Sequence, residues 1–296
     1  MPSPISIRIR DIAALSKPSL TLMNVMMTAG AMGLAPQKLS LSVWLGVLIA
    51  STLLVGSANA LNMYLEREGD KLMARTRQRP LPAGRMRPMG VLIGGLIGGA
   101  LAVFGLSYFG NPLTGAIGAV GIISYVWIYT PMKRRSPWAM QVGALPGAIP
   151  PLIGWAAATG TMGIEGIVLF LIVFFWQIPH FIAISLYRQT DYERAGIKVW
   201  PSVHGADSAK NQALLYTFFL TPVSMLLVPI GVASYAYLVA AAGLGLWFFF
   251  TCIRGFEPES GQRWARRFFL VSIAYLPLLT LALIVDVLFI HGRGIV

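Results

Sequence analysis

Leu41 to Arg87 reads LSVWLGVLIASTLLVGSANALNMYLEREGDKLMARTRQRPLPAGRMR, and the change of character within it decides the class of fold. Residues 41–63 are apolar and long enough, at about 1.5 Å per residue, to cross a hydrocarbon core roughly 30 Å thick. From Asn59 onward the same run becomes the densest cluster of charge in the chain. Asn62, Glu66 and Asp70 are four residues apart, so at about 100° per residue they form one stripe on a helix, with Asn59 beside them. Carboxamide and carboxylate oxygens on one face suit a hard divalent cation such as Mg²⁺, which keeps its other positions for water or phosphate. Lys71, Arg75, Arg77 and Arg79 follow at once as donors for a polyanion. Metal-binding oxygens beside phosphate-binding cations point to a diphosphate. The other reading is a solvated loop whose charges only fix the topology.

The rest of the 296-residue chain fits the membrane reading: it is 56% hydrophobic and 11% charged, with a mean hydropathy of +0.69. Soluble proteins carry about 25% charged residues. Apolar runs near 20 residues recur, which predicts an all-α, multi-pass membrane protein of nine spans. They lie at about 19–36, 41–63, 89–109, 112–131, 139–159, 164–187, 211–230, 235–253 and 266–289. Residues 1–18 read as an amphipathic cytoplasmic lead-in, and the whole of 1–296 as one domain. The first apolar run leads straight into further spans, unlike a secretory signal peptide. Cys252 is the only cysteine, which excludes an internal disulfide and a cysteine-based metal site.

With nine spans, 21 of the 23 Lys and Arg residues fall on one side, and only Lys38 and Arg293 on the other. Positive charge collects on the cytoplasmic side, so the amino terminus is expected inside and the carboxyl terminus outside. The net charge of +12 is thereby assigned to loops facing anionic lipid, with no nucleic acid as partner. The outer connections are short, so the active site is expected on the cytoplasmic side of the cell (inner) membrane.

A second polar element begins inside the sixth span, in FFWQIPHFIAISLYRQTDYERAGIKVWP. On a helix wheel His180, Ile184, Tyr187 and Asp191 fall within about 80° of Gln177, and Pro179 would open the helix locally. Asp191 reads as a second metal or diphosphate anchor, or as a cap on the helix end. His180 reads as a ligand or orienting donor for a metal-bearing substrate, or as a buried histidine bonded to a neighbouring helix. Glu193, Asp207 and His204 read as solvated. Lys133, Arg134 and Arg135 end the fourth span, either as a positive-inside stop or as further charge for a leaving diphosphate. GALPGAIPPLIGW (143–155) suits close packing and a kinked wall. An apolar bundle with such a polar rim suits an allylic diphosphate, whose C–O bond breaks to a carbocation and diphosphate. Mg²⁺ and basic side chains would stabilise the leaving charge, and aromatic faces the cation.

NMYLEREGDKLMARTRQRPLPAGR resembles the first aspartate-rich motif of the UbiA superfamily of intramembrane prenyltransferases. KRRSPWAMQVGALPGAIPPLIGW, WQIPHF and YRQTDYERAGIKVWP are similar, in order and spacing, to further motifs of its haem-farnesylating branch. The likeness runs from about Lys17 to Gly205. It implies a nine-helix bundle around a central cavity that transfers farnesyl from farnesyl diphosphate to a vinyl group of haem b. Water would then complete the side chain and give haem O, with haem A synthase as a further partner. Carried over, Asn62, Glu66, Asp70 and Asp191 would hold Mg²⁺ and the diphosphate. Lys71, Arg75, Arg79, Lys133, Arg134, Lys198 and Tyr187 would contact the diphosphate, and His180 and Gln177 the haem. Glu66 stands where the motif has Asp, and Ala195 where broader members carry a second Asp. Rival expectations are a sister enzyme acting on a quinone precursor or chlorophyll-type acceptor, a transporter, and a haem electron-transfer protein. The transporter would want ionisable groups near the midplane, where Asp286 is the main candidate. The electron-transfer protein would want paired histidines in the membrane.

Overall fold

The computed structural model describes residues 4–72, 76–194, 196–258 and 261–290. Arg75, Ala195 and Arg293, singled out above, lie outside them. Every regular element among the described residues is helical: α1 Pro4–Ser16, α2 Pro18–Leu34, α3 Leu41–Asp70, α4 Pro88–Phe109, α5 Pro112–Met132 and α6 Ala139–Thr159. They are followed by α7 Gly163–Tyr187, α8 Gln189–Arg194, α9 Trp200–His204, α10 Ala206–Met225, α11 Tyr235–Phe256 and α12 Gln262–Ile290.

Seven of these, α3 to α7, α11 and α12, are long and apolar enough to cross a membrane. The other two expected spans differ for identifiable reasons. α2 has only 17 residues, which reach about 25 Å. α10 opens with the polar ADSAKNQ, and the chain leaves it after Met225 for a series of turns, five residues before the expected end of the span. Conversely, α3 runs on to Asp70, two turns past the apolar stretch, so the polar stripe is built on a continuous helix.

The chain divides into two compact units. One holds residues up to Met32, Leu39–Met132 and Ile149–Thr161; the other holds Gly33–Lys38, Lys133–Ala148 and everything from Met162. In the first unit α3 packs against α4, and α4 against α5. α4 shows why this packing suits a membrane. Its Gly95, Gly98, Gly99 and Ala102 are buried, and a Cβ built on Gly98 would lie 2.5 Å from Ser57 Oγ. Its other face presents Ile93, Ile97, Leu101 and Phe104, the last 67% exposed. Small residues permit close helix approach, while large apolar ones face the lipid. α2 adds one buried hydrogen bond, from Thr28 Oγ1 to the carbonyl of Pro150 at 3.1 Å.

In the second unit α7 packs against α10 and α12, and α11 against α10 and α12. α7 runs through Pro179 without interruption, so the proline does not open the helix as expected. Its missing N–H only leaves the carbonyl of Phe175 without a helical partner. Gln177 occupies the space a Cβ on Gly147 would fill. Its Nε2 donates to the carbonyls of Ala144 and Val173, both at 3.3 Å, which latches α7 to the first half of α6.

Asp286 is buried and caps a helix. Its carboxylate accepts from the backbone N–H of Ser234 at 2.8 Å and of Tyr237 at 3.2 Å, and from the Ser234 hydroxyl. These are donors that the start of α11 would otherwise leave unmet. The bonding to a neighbouring helix expected of an intramembrane aspartate is therefore present, and it is structural. Asp286→Ala should strand the buried N–H of Tyr237, at about 1–3 kcal/mol, and the part-buried donors of Ser234 at less. A lowered unfolding midpoint in detergent, with a smaller drop for Asp286→Asn, is the expected result. Turnover per folded molecule should stay unchanged.

Candidate active site

The stripe on α3 descends from full burial to half-exposure. Asn59 and Asn62 are buried, Glu66 is half-buried, and Asp70, past the apolar run, is buried again. Asn62 has no exposed surface, and its carboxamide is bonded at both ends. Lys17 Nζ donates to Oδ1 at 3.0 Å, and Nδ2 donates to Thr130 Oγ1 at 3.0 Å. The Thr130 hydroxyl in turn donates to the carbonyl of Tyr125 at 2.8 Å. Tyr125 OH lies 3.5 Å from Asn59 Oδ1, and Asn59 Nδ2 donates to the carbonyl of Ser16 at 3.1 Å. One network thus ties α3 to the α1–α2 junction and to the end of α5.

Sequence reasoning missed three members of it: Lys17, Thr130 and Tyr125. The signal for Lys17 was its place, at a Lys-Pro step where the chain enters the first span. Its backbone adopts φ +49°, unusual for a residue with a side chain, which separates α1 from α2. For Tyr125 and Thr130 the signal is conformational. Residues Ser124–Tyr129 form a π-helical turn within α5, and no periodicity in the sequence announces it.

At the other end of the stripe, Arg79 Nη1 donates to Asp70 Oδ2 at 2.7 Å, and Thr76 Oγ1 donates to the Asp70 carbonyl at 2.8 Å. The loop after α3 therefore folds back onto the helix end. Leu81 is buried with Leu15, Ala60, Met63 and Val91, which anchors the loop by apolar contact. Arg85 Nε bonds both Asp11 oxygens, at 2.9 and 3.2 Å, and Nη2 donates to the carbonyl of Gln78 at 2.9 Å. Lys71 pairs with Glu68 at 2.7 Å on the exposed side.

Among the described residues no three His, Cys, Asp or Glu side chains converge as a metal cage. A cation at the stripe would have two carboxylates, Glu66 and Asp70, and the remaining lone pair of Asn62 Oδ1. It would take its other ligands from substrate or water. Mg²⁺ prefers that arrangement, since it gives up its water reluctantly. The donor set fits.

The second polar element is more open. α7 ends at Tyr187, and Arg188 (φ −120°, ψ 31°) breaks the helix before α8 begins at Gln189. The single helical face expected to run from Gln177 to Asp191 therefore stops at Tyr187, whose ring stacks on Phe269 with centroids 6.4 Å apart. Asp191 is exposed and lies 3.6 Å from Arg188 Nη1. Lys133 and Lys198 are brought together through the backbone, where Lys198 N–H donates to the Lys133 carbonyl at 3.3 Å. Lys198 and Arg134 are exposed, as are Glu193 and Asp207, while His204 packs on Trp200 with ring centroids 4.4 Å apart. His180 is half-buried, with Nδ1 2.8 Å from Ser272 Oγ.

These features define a helical membrane protein with an oxygen-lined, cation-backed stripe at a helix end. Residues 24–273 match the model of the UbiA prenyltransferase family, and the chain belongs to that family. It is 45% identical to the protoheme IX farnesyltransferase of Anaeromyxobacter dehalogenans (strain 2CP-C), over 95% of both chains. The fold resembles a solved digeranylgeranylglyceryl phosphate synthase, with a TM-score of 0.81 at 16% identity, covering 94% of this chain and 98% of that one. It also resembles a UbiA homolog from Archaeoglobus fulgidus bound to DMAPP and Mg²⁺, with a TM-score of 0.65 at 14% identity, covering 93% and 99%.

The loop's attachment is testable by proteolysis. Arg85→Ala should free the segment from Asp11 and speed trypsin cleavage after Arg77 in membrane vesicles, and Asp11→Asn should do the same. Unchanged cleavage in both would mean that Leu81 burial and the Arg79–Asp70 contact hold the loop without the Asp11 pair.

Proposed function

We propose that this chain transfers the farnesyl group of farnesyl diphosphate to a vinyl group of haem b, with addition of water, giving haem O and diphosphate. The observation that carries the diphosphate half is the stripe on α3, with a lysine on its first oxygen and an arginine on its last. The acceptor is supported by the 45% identity to a protoheme IX farnesyltransferase.

In this reading Glu66, Asp70 and Asn62 would hold Mg²⁺, which supplies the charge that neutralises the departing diphosphate. Lys17, Arg79, Lys71 and Arg75 would bind the phosphate oxygens. Asp191, Lys198 and Tyr187 of the second loop, and Lys133 and Arg134 after α5, are proposed as further anchors. The farnesyl C1–O bond breaks with its electron pair going to diphosphate. C1 then bonds to the outer vinyl carbon of haem b, leaving the inner carbon cationic and conjugated to the macrocycle. Water adds there and loses a proton. The Tyr125 and Tyr129 rings, 5.4 Å apart on the π-turn, are proposed to steady the allylic cation, each worth roughly 0.5–2 kcal/mol. His180 is proposed to meet the haem, with Gln177 fixing the wall behind it.

The full topology belongs to the same proposal: nine spans, with α2 and α10 crossing beside the seven longer helices, the amino terminus cytoplasmic and the carboxyl terminus outside. The stripe would then face the cytoplasm in the inner membrane, and haem A synthase would take the product.

The test is mass spectrometry of haem extracted after incubating the purified protein with haem b and farnesyl diphosphate, with and without Mg²⁺. A Mg²⁺-dependent species heavier by farnesyl and water is expected. Asp70→Asn should lower its yield by about 10²–10³-fold, the loss typical of removing one charge-stabilising group, in protein that still extracts folded. Near-normal turnover in that variant would remove the diphosphate assignment. Unchanged haem from a protein that releases diphosphate with a quinone precursor would move the acceptor.

A further inference from the structure

His180 sits in a more determined position than its half-burial suggests. Ser272 of α12 meets α7 twice: its carbonyl accepts from Trp176 Nε1 at 2.7 Å, and its hydroxyl lies 2.8 Å from His180 Nδ1. The same hydroxyl is 2.6 Å from the carbonyl of Phe269. Two oxygens that close need a proton between them, and a carbonyl has none to give. The serine proton is therefore committed to Phe269, and Ser272 Oγ is left as an acceptor. Nδ1 must then carry its own proton and donate it to Ser272. A neutral imidazole protonated at Nδ1 has its lone pair on Nε2. Nε2 has no hydrogen-bond partner among the described residues. The ring plane is held by Trp176, stacked at 4.9 Å and 19°, and by Phe269 at 5.4 Å and 31°.

We propose that Ser272 is a positioning residue that fixes His180 as the Nδ1–H tautomer, so that Nε2 is presented as an axial ligand to the iron of the haem substrate. This rests on the haem reading given above and adds the atom and its support. A ligating histidine commonly donates its second ring N–H to an oxygen, which sets the ring's orientation and raises its basicity. The Ser272 oxygen supplies that partner, and the Phe269 carbonyl fixes the direction of the serine hydroxyl. Iron ligation would hold the porphyrin by its centre and leave the vinyl edge free to meet the farnesyl cation.

The experiment uses the full-length purified protein, ferric haem b as probe, and absorption and electron paramagnetic resonance spectra. An imidazole-ligated haem is expected for the wild type. His180→Ala should lose that signature and regain it on addition of free imidazole. Ser272→Ala should weaken haem binding about 10–100-fold, the range for removing the outer partner of a metal ligand, and change the ligation spectrum. Ser272→Thr, which keeps the hydroxyl, should restore both even if Ser272→Ala folds poorly. A bound-haem spectrum that is the same in His180→Ala and wild type overturns the inference. In that case farnesylation of haem b in the mass-spectrometric assay leaves the function standing. A wild type that neither binds nor farnesylates haem b overturns both. A Ser272→Ala protein with lowered stability but an unaltered ligation spectrum reduces the serine to a packing contact and overturns its positioning role.

Discussion

Asn62 is wholly buried, and every side-chain bond it makes reaches another element. A carboxamide without water must find its partners in the protein or lose stability. Here the partners are Lys17, at the junction of α1 and α2, and Thr130, at the end of α5. Three separate segments are thus positioned by one side chain. The register of α3 follows, because rotating the helix by one residue would break both bonds at once. Glu66 and Asp70, one and two turns further along, are aimed by the same constraint.

The charges around that stripe are organised to tolerate one another. Asp70 is nearly buried, and a buried carboxylate left alone would cost several kcal/mol. Arg79 meets it at 2.7 Å, and the requirement for that pair folds the loop back onto the end of α3. The loop then has to be held at its far end, which Leu81 does by apolar burial and Arg85 by its contact with Asp11. A long cationic loop beside a membrane could have been a solvated tether. Its ion pairs and one buried leucine fix it to the helix that carries the stripe.

The sequence carried the stripe, the loop's charges and the membrane class because each rests on local pattern: four-residue spacing, charge density and apolar length. It did not carry what depends on distant partners. Lys17 looked like the start of a span, and only the fold brings it to Asn62. The Arg188 break is equally invisible on a helix wheel, which assumes that helicity continues. α2 and α10 show the limit of hydropathy in another way. Both read as apolar runs in the sequence, yet one helix is too short and the other too polar at its start to count among the seven long and apolar enough to cross. Asp286, the main ionisable group a transporter could have claimed, was legible as a residue bonded to a neighbouring helix, but only the fold shows that its partners are the N–H groups at the start of α11.

The two polar elements also differ in how they treat their functional groups. On α3 the oxygens of Asn62 and Asp70 are already engaged by Lys17 and Arg79, so a metal diphosphate would meet a stripe already bonded to cations at both ends. Diphosphate binding there would involve an exchange of partners, with Lys17 and Arg79 passing from protein oxygens to phosphate oxygens. Such an exchange needs long, flexible cationic side chains, and lysine and arginine provide them. On α7 the opposite holds. His180 is fixed by Ser272 and by flat aromatic neighbours, leaving one nitrogen uncommitted. A mobile cationic set suits an anion that must be bound and then released, while a rigid imidazole suits a flat substrate that must be held in one orientation while a short-lived carbocation forms.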